Sequence, residues 1–179
     1  VALQISAYSI LVLTLASRIM YLQFTGIVCQ QVYWEGINIF LYLASILFPF
    51  LLWCVGNWAL TTLFDGKGTL KQVYMASCYA IAPYPLFQFP LIILSNIITV
   101  DEYEFYAVLS NLSVAWCAVL LITAMMEIHE YKVSKTILCT IGTIFAMLIM
   151  IFILLLFFSM ISQGIAYFVS LYREIIFRM

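Results

Sequence analysis

Charge is what this sequence has least of. Of its 179 residues only 8% are charged, where a soluble domain carries roughly a quarter. Net charge is −1, so there is no positive field to draw nucleic acid, and nucleic-acid binding is set aside. No two of the five cysteines (Cys29, Cys54, Cys78, Cys117, Cys139) are spaced as CxxC or as a zinc pair, which argues against a metal or disulfide framework. Four of the five lie in or at the end of apolar runs, as small packing residues do. A phosphate loop is missing too: Asp65-Gly66-Lys67-Gly68 resembles a fragment of one, but GxxxxGK[ST] does not occur. There is no nucleophile–base pair, so the chain reads as a non-enzyme with no cofactor.

What is present is apolar length. Hydrophobic residues make up 66% and the mean hydropathy is +1.15. A core of this size cannot hide so much apolar surface, so most of it must face a lipid bilayer. The fold class expected is an all-α polytopic membrane protein with five transmembrane helices. The spans read as about 1–22, 37–63, 73–98, 105–126 and 137–158, each near the roughly 20 residues a crossing needs. Together with 159–179 they read as a single membrane domain.

The first span ends near Arg18, which could snorkel to the interface, and Tyr33 and Trp34 in the next loop suit an interfacial belt. Pro49 interrupts the second span, and Pro83, Pro85 and Pro90 fall in the third. Thr99 and Glu102 have capping-box spacing ahead of the fourth. A charged loop from Glu127 to Lys135 follows. Then 37 residues, Thr136 to Tyr172, carry no charge. As helix that is about 55 Å, against a hydrocarbon core of about 30 Å. Ser159, Ser162, Gln163, Ser170, Arg173 and Glu174 recur at helical spacing, so 159–179 is expected as an amphipathic tail or an extension of the fifth helix, with Gly164 as a place to bend.

Lysines set the expected orientation. Lys67 and Lys71 follow the second span, Lys132 and Lys135 the fourth; the other two loops hold no lysine or arginine. The lysine loops and N-terminus are therefore expected in the cytoplasm and the C-terminus outside. No signal-peptide pattern occurs, and the first residue is Val1 rather than Met, which leaves room for a segment upstream.

Candidate functional residues are few. The Asp65–Gly68 stretch reads either as a tight turn or as a docking surface, with Asp65 and Lys67 its charged members. Pro83 and Pro85 break or kink a helix, as a bundle kink or as a transporter-like discontinuity. Asn57, Gln88, Asn96 and Asn111 are amides in apolar segments, suited to bonding between helices. His129, the one histidine, lies between Glu127 and Glu130, a possible metal or proton trio; but the spacing does not put all three on one helical face, and a loop position predicts solvation. Spans two to five hold no ionisable residue at mid-depth, which weighs against a pump.

The run Tyr79-Ala80-Ile81-Ala82-Pro83-Tyr84-Pro85 resembles the Tyr-x-x-x-Pro signature of Yip1-domain membrane proteins, with Tyr79 and Pro83 at the matching positions. The stretches 56–68 and 126–135 are similar to the bacterial branch of that family. The resemblance implies five membrane helices and a cytoplasmic N-terminus. In eukaryotic members it implies Rab GTPase binding in vesicle traffic, but their Asp-Leu-x-Gly-Pro motif is absent here, and Cys78 stands where a glycine often precedes the tyrosine. In the bacterial branch it implies likeness to members that, in some Gram-positive bacteria, are encoded beside carbohydrate importers of the ATP-binding cassette type. The function expected is therefore an accessory or scaffold subunit of a bacterial plasma-membrane complex, with other membrane subunits as partners. A Rab-type trafficking factor and a small transporter are the alternatives.

Overall fold

A computed structural model describes residues 2–29 and 36–178. Tyr33 and Trp34 lie outside the described residues. The described chain is helical, with no strand: α1 (Ala2–Phe24), α2 (Ile39–Leu63), α3 (Leu70–Ala80), α4 (Pro83–Ser95), α5 (Tyr103–His129) and α6 (Val133–Arg178), with a 3-10 turn at Val100–Glu102 ahead of α5. Counting α3 and α4 as one crossing, five stretches are long and apolar enough to span a membrane. Large apolar side chains cover the outside, among them Phe40, Leu41, Phe105, Trp116 and Leu155. A water-facing surface of this kind would aggregate; in lipid it is the expected surface.

Helix boundaries follow local chemistry. Asn38 caps α2, its Oδ1 accepting from the Phe40 N–H at 3.0 Å. α3 begins at Leu70, three residues earlier than the sequence suggested. Thr69 and Gln72 form a capping box there, with Gln72 Oε1 accepting from the Thr69 N–H at 2.9 Å. Thr99 and Glu102 make the equivalent pairing, the Glu102 carboxylate accepting from the Thr99 N–H at 3.2 Å. That pair caps the 3-10 turn rather than α5 itself.

The break between α3 and α4 has a simple cause. Pro83 has no N–H to give the Tyr79 carbonyl, and its ring would collide with that carbonyl in a continuous helix. The Tyr79 carbonyl instead accepts from the Ala82 N–H at 3.1 Å, and the chain turns at Ile81 and Ala82. Pro83 then occupies the first position of α4, with Pro85 in the same turn, where a missing N–H costs nothing. Pro49 and Pro90 sit inside α2 and α4 without ending them.

The broken pair is the hub of the bundle. α3 packs on α1, α2 and α5; α4 packs on α1 and α5; α2 and α6 pack together. Small side chains allow the close approach: Ser17, Ser77, Cys78, Ser113 and Thr143 are fully buried. All five cysteines are buried and free.

The C-terminal stretch is an extension, not a separate amphipathic tail. α6 runs 46 residues without interruption, through Gly164, for about 69 Å. Ser159, Ser162, Gln163, Ser170, Arg173 and Glu174 are exposed, but so are Phe158, Ile165, Phe168 and Tyr172, so the described residues cover neither face.

Candidate functional site

The two lysine-bearing loops meet at one end of the bundle, and His129 is the joint between them. It closes α5 and is only 2% exposed, so its expected place in a solvated loop is corrected: α5 continues through Glu127 to His129, and the break is confined to Glu130–Lys132. The burying partner is the α2–α3 loop, remote in sequence. The Gly68 N–H donates to His129 Nδ1 at 3.3 Å. A backbone N–H can only donate, so Nδ1 accepts and the ring proton is on Nε2. Nε2 in turn faces Asn57 Oδ1 at 3.3 Å, and Asn57 Nδ2 donates to Thr143 Oγ1 at 3.3 Å. Thr143 Oγ1 donates to the Cys139 carbonyl at 2.8 Å. This buried chain of bonds joins the α2–α3 loop, α5, α2 and α6.

Glycine makes the approach possible. A Cβ on Gly68 would lie 2.5 Å from Ile128 Cγ2 and 2.6 Å from His129 Cε1; one on Gly66 would lie 2.8 Å from His129 Nδ1. Neither glycine has positive φ, so both are there for space rather than conformation; the left-handed residues are Asp65 (φ 58°) and Glu130 (φ 53°). The rim adds further ties. Tyr131 donates its hydroxyl to the Phe64 carbonyl at 2.7 Å and stacks on His129 with ring centroids 5.5 Å apart. Lys135 Nζ donates to the same carbonyl at 2.8 Å and lies 4.1 Å from the centre of the Tyr131 ring. Burial pushes the Tyr131 phenol above its ordinary pKa, and Cys139 and Asp65 add in the same direction, so it remains a donor.

The candidate residues divide by place. Asn57 and His129 are buried within the joint; Asp65 is an exposed turn residue; Lys67 pairs with Glu130 at the exposed rim. Glu127 and Glu130 are both exposed while His129 is buried, so the carboxylate–histidine trio does not assemble. Among the described residues no three His, Cys, Asp or Glu side chains are grouped to hold a metal. With both ring nitrogens engaged, His129 has no lone pair directed at solvent. Tyr79 lies apart from the joint, reaching the start of α1, where its hydroxyl donates to the Leu3 carbonyl at 3.2 Å and also bonds Ser6. Pro83 and buried Pro85 open α4. Sequence reasoning missed Gly68, Thr143 and Tyr131. The glycine pair in the loop was the one available signal, read there as turn chemistry.

At the other end, Asn96 Nδ2 donates to the Phe24 carbonyl and the Gly26 N–H to Ser95 Oγ, at 2.9 and 3.0 Å, tying α4 to the end of α1. Arg18, expected to snorkel, turns instead onto α4: its Nη1 donates to the Tyr84 hydroxyl at 2.7 Å and the guanidinium lies over that ring.

A family model described as Yip1 domain matches residues 2–156. The chain belongs to the Yip1 domain family. No curated protein and no solved structure matches it. The Yip1 match takes in all of α1 to α5 and the first half of α6, so the His129 joint and the Tyr79–Pro83 break both fall within the Yip1 domain. Residues 157–178, the distal part of α6, lie beyond the match.

Proposed function

We propose that this Yip1-domain protein is a non-enzymatic scaffold or accessory subunit of a larger membrane complex. The observation that carries the reading is α6. At about 69 Å it exceeds a hydrocarbon core of about 30 Å by more than its own membrane crossing. The excess carries Phe168, Val169, Leu171 and Tyr172, all exposed. Ser162, Gln163, Arg173 and Glu174 supply it with polar positions, but its large apolar side chains are left uncovered by the described residues, so they call for a covering surface outside the chain. The His129 joint fits the same role: it ties two loops together and leaves Lys67, Lys71, Lys132 and Lys135 exposed around it, with Asp65, Glu127 and Glu130, as a charged rim.

The lysine bias favours a cytoplasmic side for that rim and the N-terminus and the opposite side for the distal part of α6, and the reading takes the membrane to be a plasma membrane. The bacterial-type stretches 56–68 and 126–135 favour a carbohydrate importer of the ATP-binding cassette type as the complex. Purification from native membranes is the test. A transporter subunit recovered in stoichiometric amount is expected; recovery of the chain by itself would overturn the proposal.

A further inference from the structure

We propose that the end of the bundle opposite the lysine loops holds one glycerophospholipid. Its anionic, hydroxyl-bearing headgroup would occupy a polar cavity and an acyl chain the apolar cleft adjoining it. This inference is independent of the scaffold role.

The cavity, about 540 Å³, opens where α1 ends and α2 and α5 begin, and its polar lining includes Arg18, Tyr21, Tyr42, Gln88, Tyr106 and Asn111. Arg18 is the only charged residue among the described residues that line it, with no carboxylate to offset it. A guanidinium has more N–H donors than its bond to Tyr84 uses, and its fork matches a phosphate. Gln88 and Tyr106 are 2% and 5% exposed, and Gln88 Oε1 and the Tyr106 hydroxyl have no partner among the described residues. Buried polar atoms are normally satisfied. An amide oxygen can only accept, so the missing partner must donate. One occupant meeting both demands carries an acidic group for Arg18 and a hydroxyl for Gln88.

The cavity alone would suit a free glycerol phosphate. The neighbouring cleft decides for a lipid. It measures about 290 Å³, is lined by Leu11 and Leu15 of α1, Leu47 and Phe50 of α2 and Val114 of α5, and shares Arg18 with the cavity. Arg18 therefore stands at a junction of wet and dry spaces. It lies about 9 Å along the axis from the end of α1 at Phe24, while Leu11 is about 10 Å deeper. That is the depth order of a headgroup and its chain, and Tyr84 holds the guanidinium at the boundary.

The test uses the full chain in detergent with three additions: phosphatidylglycerol, phosphatidylcholine and free glycerol 3-phosphate. Native mass spectrometry reads lipid retained and thermal unfolding reads protection. Phosphatidylglycerol is expected to be retained at one per chain and to raise the melting temperature. Phosphatidylcholine keeps the phosphate but has no headgroup hydroxyl for Gln88, and should be retained about tenfold less, the factor expected when one buried acceptor is left unpaired. Glycerol 3-phosphate should not protect. Arg18→Gln and Gln88→Leu should each lower retention of phosphatidylglycerol, and Leu15→Trp, which fills the cleft and spares the cavity, should do the same. Equal retention of the two lipids by the unmutated protein, which needs no variant to fold, would overturn the proposal. So would full protection by glycerol 3-phosphate, or undiminished retention in folded Arg18→Gln.

Discussion

Alanine at Gly68 adds one methyl group where three atoms already stand within 3 Å: Ile128 Cγ2 at 2.5 Å, His129 Cε1 at 2.6 Å and His129 Nδ1 at 2.8 Å. Gly68 does not have positive φ, so alanine brings no backbone strain and the cost is steric. Overpacking of this kind costs about 1–3 kcal/mol. Moving the loop to relieve it lengthens the 3.3 Å bond to Nδ1, at about 1 kcal/mol more. The total expected is about 2–4 kcal/mol, read as a lowered unfolding midpoint in mixed detergent micelles by tryptophan fluorescence. Because two of the three close atoms belong to His129, the cost should shrink in a His129→Ala background, with a coupling of about 1 kcal/mol or more in a double-mutant cycle. Gly164→Ala is the control: nothing lies within 4 Å of its added Cβ, and alanine is a better helix former, so its midpoint should not fall. A Gly68→Ala protein as stable as the parent would refute the joint as described, because its loop could not then lie against His129.

Asn57→Leu strands the His129 Nε2–H and removes the donor to Thr143, and should cost about 1–3 kcal/mol in the same assay. Nitrogen chemical shifts of His129 should report the Nε2–H tautomer in the parent protein; an Nδ1–H ring would contradict the donor from Gly68. Tyr79→Phe loses the bonds to Leu3 and Ser6, so hydrogen exchange should speed up in the first turns of α1 and nowhere else, for a loss of about 1 kcal/mol. Lys67→Ala breaks only an exposed ion pair with Glu130 and should leave the midpoint unchanged, since such pairs contribute little.

The five apolar crossings were legible because a bilayer sets a length and a composition that a chain must meet in local sequence. The break at Ile81–Ala82 was legible for a similar reason, since proline acts on the carbonyl four residues earlier. The start of α3 was not: Lys71 reads as loop, and the Thr69–Gln72 pairing that begins the helix was overlooked beside it. His129 was misplaced because its two glutamate neighbours signal solvent, whereas its burial depends on a loop 61 residues away and on two glycines there whose task is to take no space. No single stretch of sequence records that approach. The course of α6 was half legible. Its missing charge announced excess length, but whether the helix bends at Gly164 depends on packing, and nothing among the described residues packs there to bend it.

The scaffold reading stands most directly on what covers the distal part of α6. A photoreactive amino acid at Phe168, 71% exposed and beyond the family match, can be compared in native membranes with one at Phe105, 62% exposed at the start of α5. The account predicts one discrete protein adduct from Phe168, containing a transporter subunit, and lipid adducts alone from Phe105. Lipid adducts alone from both positions would contradict it.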